Sequence, residues 1–396
     1  LALGMTCPLC GTAALPPFLV RESVPVHQNL PAATAAEARA APRGRLEMVA
    51  CQACGFVFNR AFDPALPRYG PGYDNAQSHS PAFAAHLDAL ARHLVEERGV
   101  RGVRIVEVGC GRGDFLRRLV AWPGADNRGI GFDPAYDGPA EDLGGRLRFE
   151  RRFYGPACDV PADVVVCRHV IEHVADPLAL LRAVRGAPRV FFETPDVGWI
   201  LRHGVIWDFF YEHCSLFSAG SLAHAFALAG FGEVRTRSVF GAQYLWVEAK
   251  SPVTPAKARV QARAKIGAVG LDPGLRRGDD LAAAYGASEP ERLRAWKKRL
   301  SDLAAEGPLA LWGAGAKGVT LAGLVDPAAD IIDCLADINP AKQGHFVPGT
   351  GHPIVAPTAL AARGVRHVVL MNPAYRAETV ALLPECGNPR LAAWDE

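Results

Sequence analysis

The chain has 396 residues, 49% of them hydrophobic, which is enough for two or three packed domains. A formal net charge of +2 gives no sign of a nucleic-acid or membrane-surface partner. No apolar run reaches the roughly 18 residues that a transmembrane helix needs, and the start lacks a basic segment followed by a long apolar core. The ten cysteines are therefore expected as thiols or metal ligands of a cytoplasmic protein, not as a disulfide framework.

In chain order, residues 5–70 carry two cysteine pairs and little periodic pattern. Helical spacing of Phe83, Leu87, Leu90 and Leu94 opens the next region. Residues 71–250 then alternate strand-like and helix-like segments. The strands are read at 103–108, 129–133, 163–167 and 189–193, with a closing pair at 234–240 and 244–249. Asp176 and Pro177 suit the N-cap and first position of a helix, and Ser218 suits another cap. Such alternation predicts a parallel sheet covered on both faces. Residues 251–290 are rich in Gly, Pro and charge and are read as a linker or insertion. Residues 291–396 form a second, smaller α/β unit containing Gly313-Ala314-Gly315-Ala316-Lys317-Gly318 and, at a later strand end, Asp337.

Three patterns carry chemistry. In the first, the strand ending at Val108 runs into Gly109-Cys110-Gly111-Arg112-Gly113-Asp114, and Asp133 ends the next strand. Glycines let backbone approach a ligand, the following helix aims free N–H groups at it, and a carboxylate can hold ribose hydroxyls. Secondly, Cys7-Pro8-Leu9-Cys10-Gly11 and Cys51-Gln52-Ala53-Cys54-Gly55 are twin knuckles. Four thiolates make a closed tetrahedral site that suits Zn2+ in a structural role; the alternatives are unrelated pairs or a redox disulfide. The third pattern is a set of acid–imidazole groups, His169-Val170-Ile171-Glu172-His173 and Tyr211-Glu212-His213. Histidine titrates near neutrality and can remove a proton from carbon or oxygen. The His-x-x-Glu-His spacing also matches an inverted zinc-protease motif, but it follows a strand with no long helix to align it. The turn at Gly313 has dinucleotide-like spacing, and it also fits helix–strand packing or a role toward a substrate nucleotide.

The spacing Glu107-x-Gly-x-Gly-x-Gly resembles class I S-adenosylmethionine-dependent methyltransferases. By that resemblance Glu107, Gly109, Cys110, Gly111 and Gly113 meet the amino-acid end of S-adenosylmethionine, Asp133 its ribose, and Phe153 and Arg168 flank it. The order of modules resembles the sugar C-methyltransferases that act on nucleotide-linked keto-deoxysugars. Leu311 to Gly318, Asp337 to Gly344 and Pro348 to Pro353 look like that family's terminal domain. The resemblance implies an α/β fold: a class I methyltransferase Rossmann-like sheet, an N-terminal zinc-binding module and a C-terminal second Rossmann-like domain. It implies a small-molecule acceptor, with nucleotide-linked sugars as the type. Its chemistry is C-methylation after base-assisted deprotonation next to a ketone, and His213, Glu212, Tyr211 and His173 are the catalytic candidates. Tyrosine stands two residues before the Glu in the sugar enzymes; here that position is Phe210. Rival readings are an O- or N-methyltransferase of the same fold, a zinc-module binding protein with a non-catalytic methyltransferase-like domain, and a nicotinamide enzyme using Gly313 to Asp337.

Overall fold

The structure is a computed structural model and describes residues 6–13, 16–70, 72–155, 158, 160–251 and 273–394. Its central sheet has eight strands. Arg104–Val108 is flanked in parallel by Arg128–Phe132 on one side and Val164–Arg168 on the other. Leu147–Glu150 and Arg189–Pro195 extend the parallel set, and the short strand Glu141–Asp142 closes one edge. Tyr244–Lys250 and then Gly232–Val239 add antiparallel at the other edge. The inner strands are apolar on both faces because helices cover both sides. The helices start where side-chain oxygens can take the free N–H groups of the first turn. Ser80 accepts from Phe83 N (3.1 Å), Asp176 from Ala179 N (3.0 Å) and Ser218 from Ser221 N (3.2 Å).

The C-terminal unit repeats the pattern on a smaller scale. Its five parallel strands run in the order Ile354–Val355, Cys334–Ala336, Leu309–Trp312, His367–Leu370 and Arg390–Ala393. The N-terminal unit is an antiparallel sheet of Leu19–Pro25, Arg43–Ala50 and Val57–Asn59. Its fourth strand, Ser215–Leu216, comes from the segment after the large sheet's fifth parallel strand. Asn59 N also donates to Cys214 O (2.9 Å), so the two units share backbone.

The region read as a linker differs. Residues 252–272 lie outside the described residues, and from there Pro273–Ala305 is one helix with Pro290 inside it. Composition misleads here because burial decides the outcome. Ala282, Tyr285, Glu289 and Leu300 recur at helical spacing and are buried. Tyr285 packs against Phe209 and Phe18 at centroid distances of 5.1 and 6.2 Å, and its hydroxyl donates to Val205 O. Arg21 links three units from inside the core. Its guanidinium donates to Phe209 O (2.6 Å) and Ile206 O (2.7 Å) and pairs with Glu289 at 3.0 Å. Among the described residues, no helix is long and apolar enough to cross a membrane. Tyr285→Ala is expected to cost about 3–5 kcal/mol of stability, as large aromatic truncations in cores do. Urea unfolding followed by tryptophan fluorescence measures it, and a loss below about 1 kcal/mol would show the helix to be peripheral.

Candidate active site

Two cavities open at the carboxyl ends of the parallel strands, where ligands bind in such sheets. The first, about 500 Å³, lies over the glycine turn. Its wall includes Glu107, Gly109, Cys110, Gly111, Asp133, Phe153 and Arg168. Gly109 has φ +67°, and a Cβ there would collide with Val170. Gly111 faces open space. Asp133 accepts from Gly111 N (2.9 Å) and Ala135 N (2.8 Å), so the acid holds the turn in shape. Burial raises the Asp133 carboxyl above its ordinary range, against those two donors. Glu107 is buried, and desolvation pushes its carboxyl up to about 8. Its Oε2 has no hydrogen-bond partner, so a cationic group entering the cavity would restore its charge. Arg168 spans 4.7 Å over the Phe115 ring and binds Glu193 at 2.6 Å. Phe153 sits at the rim, two-thirds exposed. Gly113 corrects the expectation, since it does not line the cavity. With φ +79°, an added Cβ would meet the Phe149 ring at 2.5 Å, so this glycine serves packing.

The second cavity, about 220 Å³, lies between the large sheet and the C-terminal unit. His213, His173 and Phe210 line one side, and Gly313, Gly315, Lys317 and Asn339 the other. His169, His173 and residues 75–77 belong to both cavities. His213 packs against Phe210 at 4.0 Å with the rings tilted by 41° and stands perpendicular to His173 at 4.8 Å. Its Nδ1 is buried and unpartnered. Desolvation first, then the nearby positive groups His173, His169 and Lys317, hold His213 well below the usual imidazole range. His173 Nδ1 is hydrogen-bonded to the Tyr69 hydroxyl (3.0 Å), leaving its other nitrogen free to face the cavity. His169 has the opposite environment. Burial opposes its charge, but Glu172 (3.3 Å) and Glu193 (3.4 Å) outweigh that and raise it to about 9.

Glu212 and Tyr211 line neither cavity, contrary to the expectation that they act on substrate. Glu212 accepts from His27 Nδ1 (3.0 Å) and Gln28 N (2.9 Å) of the N-terminal unit. His27 Nε2 accepts from Arg68 N, which fixes the proton on Nδ1. The Tyr211 hydroxyl accepts from Asp63 N (2.8 Å), and its ring packs against Gly44 and Phe62. Adjacent residues in this turn point in different directions, so neighbours of His213 in sequence are not neighbours in the site.

The second glycine turn copies the first. Asp337 accepts from Ala314 N (2.7 Å) and Asn339 N (2.8 Å). Gly318 allows close packing, since a Cβ there would strike Gly313 O. Lys317 pairs with Asp208, and the buried Lys342 ammonium meets only neutral oxygens within hydrogen-bond reach, Asn29 Oδ1 (3.0 Å) and Ala314 O (3.2 Å). Away from both cavities, Cys7, Cys10, Cys51 and Cys54 bring their sulfurs within 4.8 Å of one another. Cys7–Cys54 is 3.6 Å and Cys10–Cys51 is 3.5 Å. Both knuckles make the same turn, with Gly11 N donating to Cys7 O and Gly55 N to Cys51 O. Crowding splits the thiols: S–H donors from Cys54 and Cys7 hold Cys51 low, while its proximity pushes Cys7 up to about 12 and Cys54 higher still. Four thiolates coexist there only with a cation between them, so the donor set fits a thiophilic metal.

Tyr69, Asp74, Glu193, Lys317 and Lys342 are site residues that sequence reasoning missed; all but Glu193 line a cavity. Residues 79–235 match a family model described as a methyltransferase domain, and residues 283–388 match one described as a C-methyltransferase C-terminal domain. A protein called C-methyltransferase NovU, from Streptomyces niveus, is 26% identical over 359 residues, which span 85% of this chain and 82% of that protein. A ubiquinone biosynthesis O-methyltransferase of Azorhizobium caulinodans is 34% identical over 107 residues, 24% of this chain and 41% of that protein. Among solved structures, magnesium protoporphyrin IX methyltransferase from Synechocystis PCC 6803 with bound SAH matches at a TM-score of 0.35 and 16% identity, covering 43% of this chain and 84% of that one.

The opposed imidazole environments are measurable in the free protein. In a titration of isotope-labelled histidines by NMR, His213 is expected to remain neutral at about pH 6, below the ordinary value near 6.5. His169 is expected to stay protonated at about pH 8 and to lose its proton near 9. His213→Asn and His169→Gln assign the two resonances, and ordinary titration of both would refute the environments described.

Proposed function

We propose that this S-adenosylmethionine-dependent methyltransferase, which resembles the sugar C-methyltransferases, methylates a carbon next to a ketone on a small polar, nucleotide-sugar-like substrate. The observation that carries this reading is His213: a neutral imidazole with a free buried nitrogen, in a cavity sharing a wall with the glycine-turn cavity. We place the methyl donor in the first cavity. Glu107 faces its amino group, the backbone of Gly109 to Gly111 its amino-acid end, and Asp133 its ribose, with Phe153 at the rim. The bound donor supplies an electrophilic methyl group for the deprotonated carbon.

In the acceptor cavity His213 takes the proton from that carbon. His173, held by Tyr69, and the charged His169 face the oxygen side, where negative charge develops. Base and methyl must stand on opposite sides of the same carbon, which a shared wall between two cavities allows. At the far end Lys342 and the uncapped N-terminus of the helix Ala316–Val325 favour an anionic group, as phosphate-linked substrates carry. Cys7, Cys10, Cys51 and Cys54 would hold one Zn2+ in a closed site that supports the fold and takes no part in the chemistry.

Likeness to O-methyltransferases over part of the chain supports a second reading, deprotonation of a hydroxyl. Hydrogen–deuterium exchange at a substrate C–H without the donor separates the two. The C-methylation reading expects exchange, catalysed by the wild type and slowed about a hundredfold or more in His213→Asn, with binding of S-adenosylhomocysteine unchanged. Methyl transfer without any C–H exchange would support the oxygen reading. Metal analysis of purified protein is expected to give about one zinc per chain, lost in Cys7→Ser; protein without zinc would remove the metal assignment alone.

A further inference from the structure

The two cavities meet along residues 72–80, a run of turns and extended backbone without a helix or strand. Asp74 lies at its centre, 8% exposed. Its Oδ1 accepts from Ala76 N (2.8 Å) and shapes the local turn. Its Oδ2 takes two donors from two different units. Arg112 Nη2 approaches from the donor glycine turn (3.1 Å), and Asn339 Nδ2 from the C-terminal unit (2.9 Å). The bonds continue on both sides. Asn339 N donates to Asp337, which also accepts from Ala314 N in the second glycine turn. On the donor side Asp133 holds Gly111, next to Arg112. An unbroken line therefore joins the two glycine turns through one carboxylate oxygen, beside the separate contacts Lys317–Asp208 and Lys342–Asn29.

We propose that Asp74 is a positioning residue that couples the two sites, so that the acceptor loops order once the methyl donor is bound. This rests on the donor assignment made above. The physical basis is the sharing of one oxygen. Arg112 is half exposed and sits between two glycines with positive φ, so its turn loses freedom when a ligand fixes the backbone. An ordered Arg112 holds Asp74, and a held Asp74 lowers the entropy cost of docking Asn339. Asn339 in turn sets the loop that carries Lys342, through Lys342 N donating to Asn339 O. By reciprocity an acceptor that orders this loop strengthens donor binding by the same factor. Removal of the methyl group from the donor leaves the turn contacts unchanged, so S-adenosylhomocysteine serves as the probe.

Hydrogen exchange read by mass spectrometry on the full chain tests the coupling without any acceptor. Saturating S-adenosylhomocysteine should slow exchange in the wild type at 107–114 and 72–80. It should also slow 313–318 and 335–343, by about fivefold or more. Asp74→Ala saturated with the same ligand should keep protection at 107–114 and lose it at both distant loops. Asn339→Ala removes the link from the other side; its ligand affinity should stay within about twofold of wild type while 313–318 loses protection. It also carries the test if Asp74→Ala does not fold. Protection of the distant loops that persists in both variants overturns the proposal. So does its absence in the wild type while 107–114 is protected. If the ligand fails to protect 107–114 in the wild type, the donor assignment itself falls, and the coupling with it.

Discussion

Parallel sheets gather ligands at the carboxyl ends of their strands, and this chain is folded so that two such ends face each other. Everything at the centre follows from that constraint. Each end carries a glycine turn braced by an aspartate that accepts two backbone N–H groups, Asp133 in one and Asp337 in the other. The backbone device is the same, but the side chains around it differ. One turn has a buried carboxylate with a free oxygen, Glu107; the other has Lys317 and the buried Lys342. The free oxygen of Glu107 suits a positive group on a ligand, and the ammonium of Lys342, bonded to neutral oxygens, suits a negative one.

Between these ends, His169 and His213 are given opposite protonation tendencies by their surroundings. His169 sits between two buried carboxylates, while His213 lies against the Phe210 ring with its Nδ1 unpartnered. Carboxylates close to the first favour its cation, and desolvation of the second favours its neutral form. Such divergence lets one site hold a base and a charge stabiliser at the same pH.

Much of the fold was legible in the sequence. Strand–helix alternation, the glycine turns with their acids, and the caps at Asp176 and Ser218 are local patterns, and local patterns survive folding. Direction was not legible. Tyr211, Glu212 and His213 are consecutive, yet only His213 reaches a cavity, because an irregular turn has no period to project side chains by. Tyr69 and Asp74 were hidden for the same reason, lying in a segment whose meaning depends on residues 104 and 265 positions away. The helix Pro273–Ala305 was hidden by its glycines and Pro290; the burial that overrides them is tertiary. The cysteine pairs were the opposite case, since the repeated Cys-x-x-Cys-Gly pattern pointed to the cluster that the four sulfurs form.

The strand Ser215–Leu216 has a wider consequence. It completes the N-terminal sheet by pairing with Val57–Asn59, directly after His213 and Cys214. Neither partner has another neighbour on that side, so each would be a bare edge without the other. A chain trimmed of its first sixty or so residues would therefore leave the strand Ser215–Leu216 unpaired next to the aromatic run. The three units are consequently not beads that recombination can exchange freely. A replacement for the first unit would have to bring a matching edge in register, or the turn that carries His213 would lose its backing.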